Sequence, residues 1–201
     1  MNAALGSALV RRPVVVSRSD DLDRHVATWW QWAVGTPIPI NPATDPTGAR
    51  AGQGQPAGVL PGEPWMVATA MGGTQHRRWS MPAGRPLFVP ALWAISLPVL
   101  FLGRSPRLGA LEAFVELDGV GLELVEVPLR QVPLSLAPGN PFVDAESPMQ
   151  VRACVTGLWV LTEPLAAGNH ELRYGGMCRD GFAHEVTAQI EALAAASSGP
   201  G

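Results

Sequence analysis

The chain has 201 residues, a net charge of −3, two cysteines and a hydrophobic fraction of 47%. That is enough apolar material to bury the core of one domain. The acidic balance and the lack of a basic stripe interleaved with aromatics argue against a nucleic-acid partner.

Residues 1–18 read as a tail or edge strand around "PVVVS". Arg11 and Arg12 follow the first short apolar run, whereas a secretion signal places its basic residues ahead of it. The expected location is therefore the cytoplasm, with Cys154 and Cys178 as free thiols. All 14 basic residues are arginine, a composition typical of GC-rich bacteria.

A helix is expected near residues 20–34. Ser19 or Asp20 can cap it, and acidic residues fill its first turn, where the helix dipole favours them. Leu22, Val26, Trp29, Trp30 and Ala33 recur at helical spacing, and Gly35 and Pro37 end the pattern. Trp32 lies off this stripe, beside His25 and Thr28. From Gly35 to Pro64 the chain is crowded with Pro and Gly and keeps no period, so it reads as one long loop, either disordered or functional. Ile38, Ile40, Val59 and Leu60 would wrap it over the core. Asp45 within "NPATDPTG" fits an Asx turn better than a calcium ligand, since no second acidic residue is near.

Beyond Pro64 the signals are for strands. "WMVATAM" and "TQHRRWS" flank Gly72 and Gly73 and predict a hairpin. "PLFVPALWAISLPVLFLG" (86–103) approaches membrane-span length, but Pro86, Pro90 and Pro98 interrupt it. It reads as two buried strands, and no membrane partner is expected. "DGVG" predicts a second hairpin. Residues 150–165 read as a long strand bulged near Gly157, and residues 170–190 as a last hairpin turning at 175–182. The fold class is mainly β: an antiparallel sandwich or jelly roll with one N-terminal amphipathic helix. It would form a single domain over 19–193, with 194–201 as a disordered tail.

The order of several motifs resembles an uncharacterised family of small, mostly secreted bacterial β-rich proteins. These are Trp29-Trp30-x-Trp32, Asn41-Pro42, Gly52-Gln53, Gly72-Gly73, Arg77, Pro82-Ala83-Gly84, and Gly168 with His170. The resemblance covers most of residues 25–190 and implies a fold, not an activity. Members of that family often carry cysteines where this chain has Ala51 and Trp79. Their absence fits a cytosolic member. The additional Trp79 and Trp93 would turn a pocket toward apolar ligands.

No nucleophile elbow, phosphate loop, zinc motif or dinucleotide fingerprint occurs. His170 and His184 alternate with apolar residues and should face the core. A hairpin turning at 175–182 would separate them by about 13 Å along the strands, too far to share a metal. No metal or other cofactor is expected. A pocket is predicted between the helix edge with His25 and Trp32, the long loop, and the strand with His76, Arg77 and Trp79. In it His25, His76 and Arg77 are the candidate catalytic groups. His25 would serve as acid or base, and Arg77 would hold a ligand oxygen. Trp32, Trp79, Trp93 and Glu63 are the candidate substrate contacts. The structural alternatives are surface packing for His25 and Trp32 and a buried Arg77–Glu63 pair. The expected function is a cofactor-independent enzyme acting on an apolar small molecule by cyclisation, isomerisation or dehydration. The alternative is a non-catalytic binding or structural module. A homodimer stays open.

Overall fold

The computed structural model describes residues 19–56, 63–97, 107–142 and 146–194. The expected strand at 13–17, the second half of the apolar run at 98–102 and the residues 195–201 lie outside that set.

Helix α1 spans Ser19–Val34. Val26, Trp29, Trp30, Ala33 and Val34 are buried along its inner side, and Trp32 joins them at 6% exposure. The last carbonyls of a helix lack partners within it. Here Thr36 Oγ1 donates to Trp32 O at 2.7 Å, Asn41 Nδ2 donates to Ala33 O at 2.8 Å, and the Ala137 amide donates to Val34 O at 2.9 Å.

Among the described residues, nine strands form two sheets. The first orders β1 (Trp65–Met66), β3 (Leu87–Ser96), β7 (Met149–Leu161) and β6 (Val125–Leu136). The second orders β2 (Gly73–Pro82), β9 (Ala183–Leu193), β8 (Gly168–Cys178), β4 (Ala110–Leu117) and β5 (Val120–Gly121). Both sheets are mixed, because β1 runs parallel to β3 and β2 parallel to β9. One core lies between the helix and the first sheet, where Trp29 and Trp30 meet Phe88, Val155 and Trp159. The other lies between the sheets, around Leu87, Val89, Val160, Leu172, Tyr174 and Val186. The first half of β3 is therefore buried on both faces, which explains its unbroken apolar sequence. Phe88 stacks on Trp159 at 4.9 Å between centroids. Gly157 makes room for that indole: a side chain there would meet Trp159 Nε1 and Leu92 O within 2.7 Å.

Four sequence expectations need correction. Residues 65–71 and 74–80 do not form a hairpin, because β1 and β2 belong to different sheets. Between them the chain crosses from one sheet to the other, with 67–70 fully buried. The irregularity near Gly157 lies opposite it: register shifts fall between Pro90 and Leu92 on β3 and between Val127 and Arg130 on β6. The last hairpin turns later than expected, pairing His170 with Ile190 and His184 with Gly176. Its two histidines are thus farther apart than the sequence implied, about 20 Å along the strand. In the long loop, Ile38 and Ile40 are about half exposed and do not cover the core, while Val59 and Leu60 lie outside the described residues. The turn at Asp118 and Gly119 does occur as expected, both residues taking positive φ, but only two residues of β5 pair back before the chain leaves for the first sheet.

The loop after α1 covers sheet edges instead. Asp45 forms the expected turn, with Oδ1 accepting from Thr47 N and Oγ1 and Oδ2 from Arg50 N at 2.7 Å. This aims Thr47 O at Arg78 N, 2.8 Å away on the outer edge of β2. Gly48 (φ +88) follows so closely that a Cβ would lie 2.7 Å from Arg78 O. Glutamine amides cap both edges of the first sheet. Gln55 bonds Met66 N and O on β1, and Gln31 bonds Ser135 N and O on β6. Each imitates a neighbouring strand and blocks a free edge.

Candidate functional site

The residues singled out from the sequence do not meet in one pocket. His25 is 5% exposed, its ring packed on Phe88 at 5.6 Å between centroids. Its Nδ1 has no hydrogen-bond partner among the described residues. Burial, helped by Arg24, lowers its pKa against the opposing pull of Glu63 and Asp21. Trp32 shares that helix edge but lies two turns on, about 10 Å along the axis. His76 projects from the exposed face of β2, opposite Arg77. Glu63 pairs with Arg24 at 3.0 Å, not with Arg77.

Arg77 has a structural task that its sequence neighbourhood does not show. The crossing segment 67–70 is extended and buried, so its carbonyls need partners other than water. Trp29 Nε1 donates to Val67 O at 2.8 Å. Arg77 Nη1 donates to Ala68 O at 2.7 Å, and Tyr174 Oη donates to the same oxygen. Arg77 Nη2 donates to Thr69 O at 3.0 Å, and Thr69 Oγ1 contacts Ala70 O. Gln75 Oε1 takes Arg77 Nε and Nη2, and so holds the guanidinium in place. No carboxylate bonds to it among the described residues. Trp93 is tied to the same segment, its Nε1 donating to Thr69 Oγ1 at 2.8 Å. Trp79 faces the inter-sheet core with its Nε1 unpartnered among the described residues.

The two inward histidines behave oppositely. His170 places Nδ1 2.8 Å from Asp118 Oδ2 and Nε2 3.0 Å from Ala166 O. The bond to Asp118 raises its pKa. It pins the β4–β5 turn to the start of β8. His184 is buried against Phe182 and Tyr174, with neither ring nitrogen bonded among the described residues. Burial, with Arg77 nearby, lowers its pKa to about 4. Between pH 6.5 and 4 only the unfolded chain takes up this proton, so stability is full above pH 6.5 and falls as the pH drops through that window. The loss by pH 4 is about 3 kcal/mol. His184→Phe should flatten this slope and keep full stability at pH 7. Urea midpoints at pH 7.5, 5.5 and 4.5 check it; an unchanged acid slope in the variant would refute the assignment.

Among the described residues, three spaces are large enough for a small molecule. A groove of about 590 Å³ runs along the helix edge between Ala27, Thr28, Trp32, Gly54, Pro56 and Pro133. A cleft of about 460 Å³ opens at one end of the sandwich, where Trp93, Phe142 and Phe182 meet Arg107 and Arg179. The first keeps two parts of the predicted pocket, the Trp32 edge and the loop, and replaces the β2 wall with β6. The second keeps Trp93. Phe142, Phe182, Arg107 and Arg179 come from separate connections and turns, and no local sequence signal links them. The third, a trough of about 550 Å³ on the outer face of the second sheet around Arg78, Ser80 and Glu191, is polar, and its side chains bond at Ser80–Glu191 and Gln189–Glu171. Among the described residues, no cluster of His, Cys, Asp and Glu could hold a metal ion, and no helix is long and apolar enough to cross a membrane. Comparison of the chain with protein-family models, curated proteins and solved structures found no match.

Proposed function

We propose that the protein is a binding module for a small, uncharged, apolar molecule, held in the groove beside Trp32. The observation that carries this reading is the lining of that groove. It is walled by an indole, two prolines and an alanine, with the Thr28, Gln31 and Thr36 side chains as its polar groups and no ionisable one among the described residues. The indole N–H is already taken by Gln53 O at 2.9 Å, so Trp32 offers a ligand only apolar ring surface. Acid–base turnover would need a titratable group facing the ligand. His25, the nearest candidate along that edge, is packed under Phe88 instead. Binding without chemistry is therefore favoured over catalysis. Cys154 and Cys178 are both free, which supports a reducing compartment such as the cytoplasm.

Nile red, a neutral apolar dye, tests the proposal. The wild-type protein should enhance its fluorescence saturably. Thr28→Trp fills the groove from a partly exposed helix position, and it should lower the affinity at least about tenfold while the melting temperature stays within a few degrees. Equal binding by the variant would remove the groove as the site.

A further inference from the structure

We propose that the cleft at the end of the sandwich is a second binding site, for an aromatic carboxylate. Its floor is a cluster of rings: Trp93 meets Phe142 at 5.3 Å and Phe182 at 5.8 Å, both edge-on. Trp93 is only half-buried, so this cluster stops short of closing over itself. An incoming ring would extend the same edge-to-face pattern.

The rim supplies charge. Arg107 and Arg179 are exposed, and neither has an acidic partner among the described residues. Arg179 is anchored where it stands: its amide donates to Gly109 O at 2.8 Å. Among the described residues one acidic side chain, Asp180, lines the cleft, and its Oδ1 accepts the Phe182 amide at 3.1 Å within its own loop. Cys178 does not compete for an anion or attack one, because burial, with Asp180 nearby, pushes its thiol pKa up and keeps it neutral at pH 7. Two guanidiniums over an aromatic floor suit a flat body carrying a carboxylate, which arginine receives in a planar fork. The volume of about 460 Å³ fits a molecule of one or two fused rings.

This site does not depend on the helix-edge groove, and the test separates the two. 2-Naphthoate and its uncharged analogue 2-naphthamide are titrated by calorimetry. The acid should bind about tenfold more tightly than the amide, and the difference should shrink as salt rises. The Arg107→Gln/Arg179→Gln double variant changes only exposed side chains and should erase the difference while leaving the melting temperature unchanged. Phe142→Ala should weaken both ligands. Thr28→Trp should leave naphthoate binding intact. Equal affinity for acid and amide, no binding of naphthoate at millimolar concentration, or loss of naphthoate binding in Thr28→Trp would each overturn the proposal.

Discussion

Arg77→Met is expected to destabilise the protein by about 3–5 kcal/mol. The methionine keeps the apolar stem but removes the donors that serve Ala68 O, Thr69 O and Gln75 Oε1. Tyr174 still reaches Ala68 O. Thr69 O is left without its donor in a site where Arg77 itself is only 4% exposed, and the partly buried Gln75 oxygen loses both of its bonds. Unsatisfied buried acceptors of this kind cost about 1–3 kcal/mol each. Arg77→Lys should recover only part of the loss, because an ammonium group cannot reach oxygens in two directions through a planar fork. Urea unfolding of both variants measures this. A loss under about 1 kcal/mol in Arg77→Met would show that the crossing does not rely on this side chain. The guanidinium would then be free for a ligand, the role first read for it from the sequence.

Trp32→Ala should cost about 3–5 kcal/mol, the range for a large buried aromatic. Its ring packs edge-on against Trp29 at 6.3 Å, and its N–H anchors the loop at Gln53. The same variant should also lose Nile red binding, since Trp32 forms one wall of the groove. Thermal unfolding with and without dye reads both effects. A stability loss below about 1 kcal/mol together with lost binding would make Trp32 a ligand surface and not part of the core. A large stability loss with unchanged affinity would place the ligand elsewhere.

The three tryptophans of α1 show how far the sequence reaches. Trp29 and Trp30 lie on the helical stripe, and local periodicity alone assigns them to the core. Trp32 lies off the stripe, yet it is buried, because residues 53–56 close over it from the loop. Periodicity reports one face of a helix and carries no information about a loop that covers a second. The same division runs through the sheets. The turn at Asp118 and Gly119 was legible because two adjacent residues must take positive φ, a local requirement. The hairpin expected at Gly72 and Gly73 failed because the choice between pairing back and crossing over depends on partners far along the chain.

The helix, the strand-rich character, the Asx turn at Asp45 and the unpaired cysteines follow from the sequence by itself, since each rests on neighbouring residues or on composition. Tertiary structure alone decided which sheet each strand joins, and it gave Arg77 its partners. Apart from Gln75 Oε1, those partners are backbone carbonyl oxygens, which every residue carries and no side-chain pattern marks. It likewise decided that Gln31 and Gln55 cap strand edges and that Trp93, Phe142, Phe182, Arg107 and Arg179 share a cleft. These residues come together only when two sheets pack, and long-range packing leaves no periodic trace in the chain.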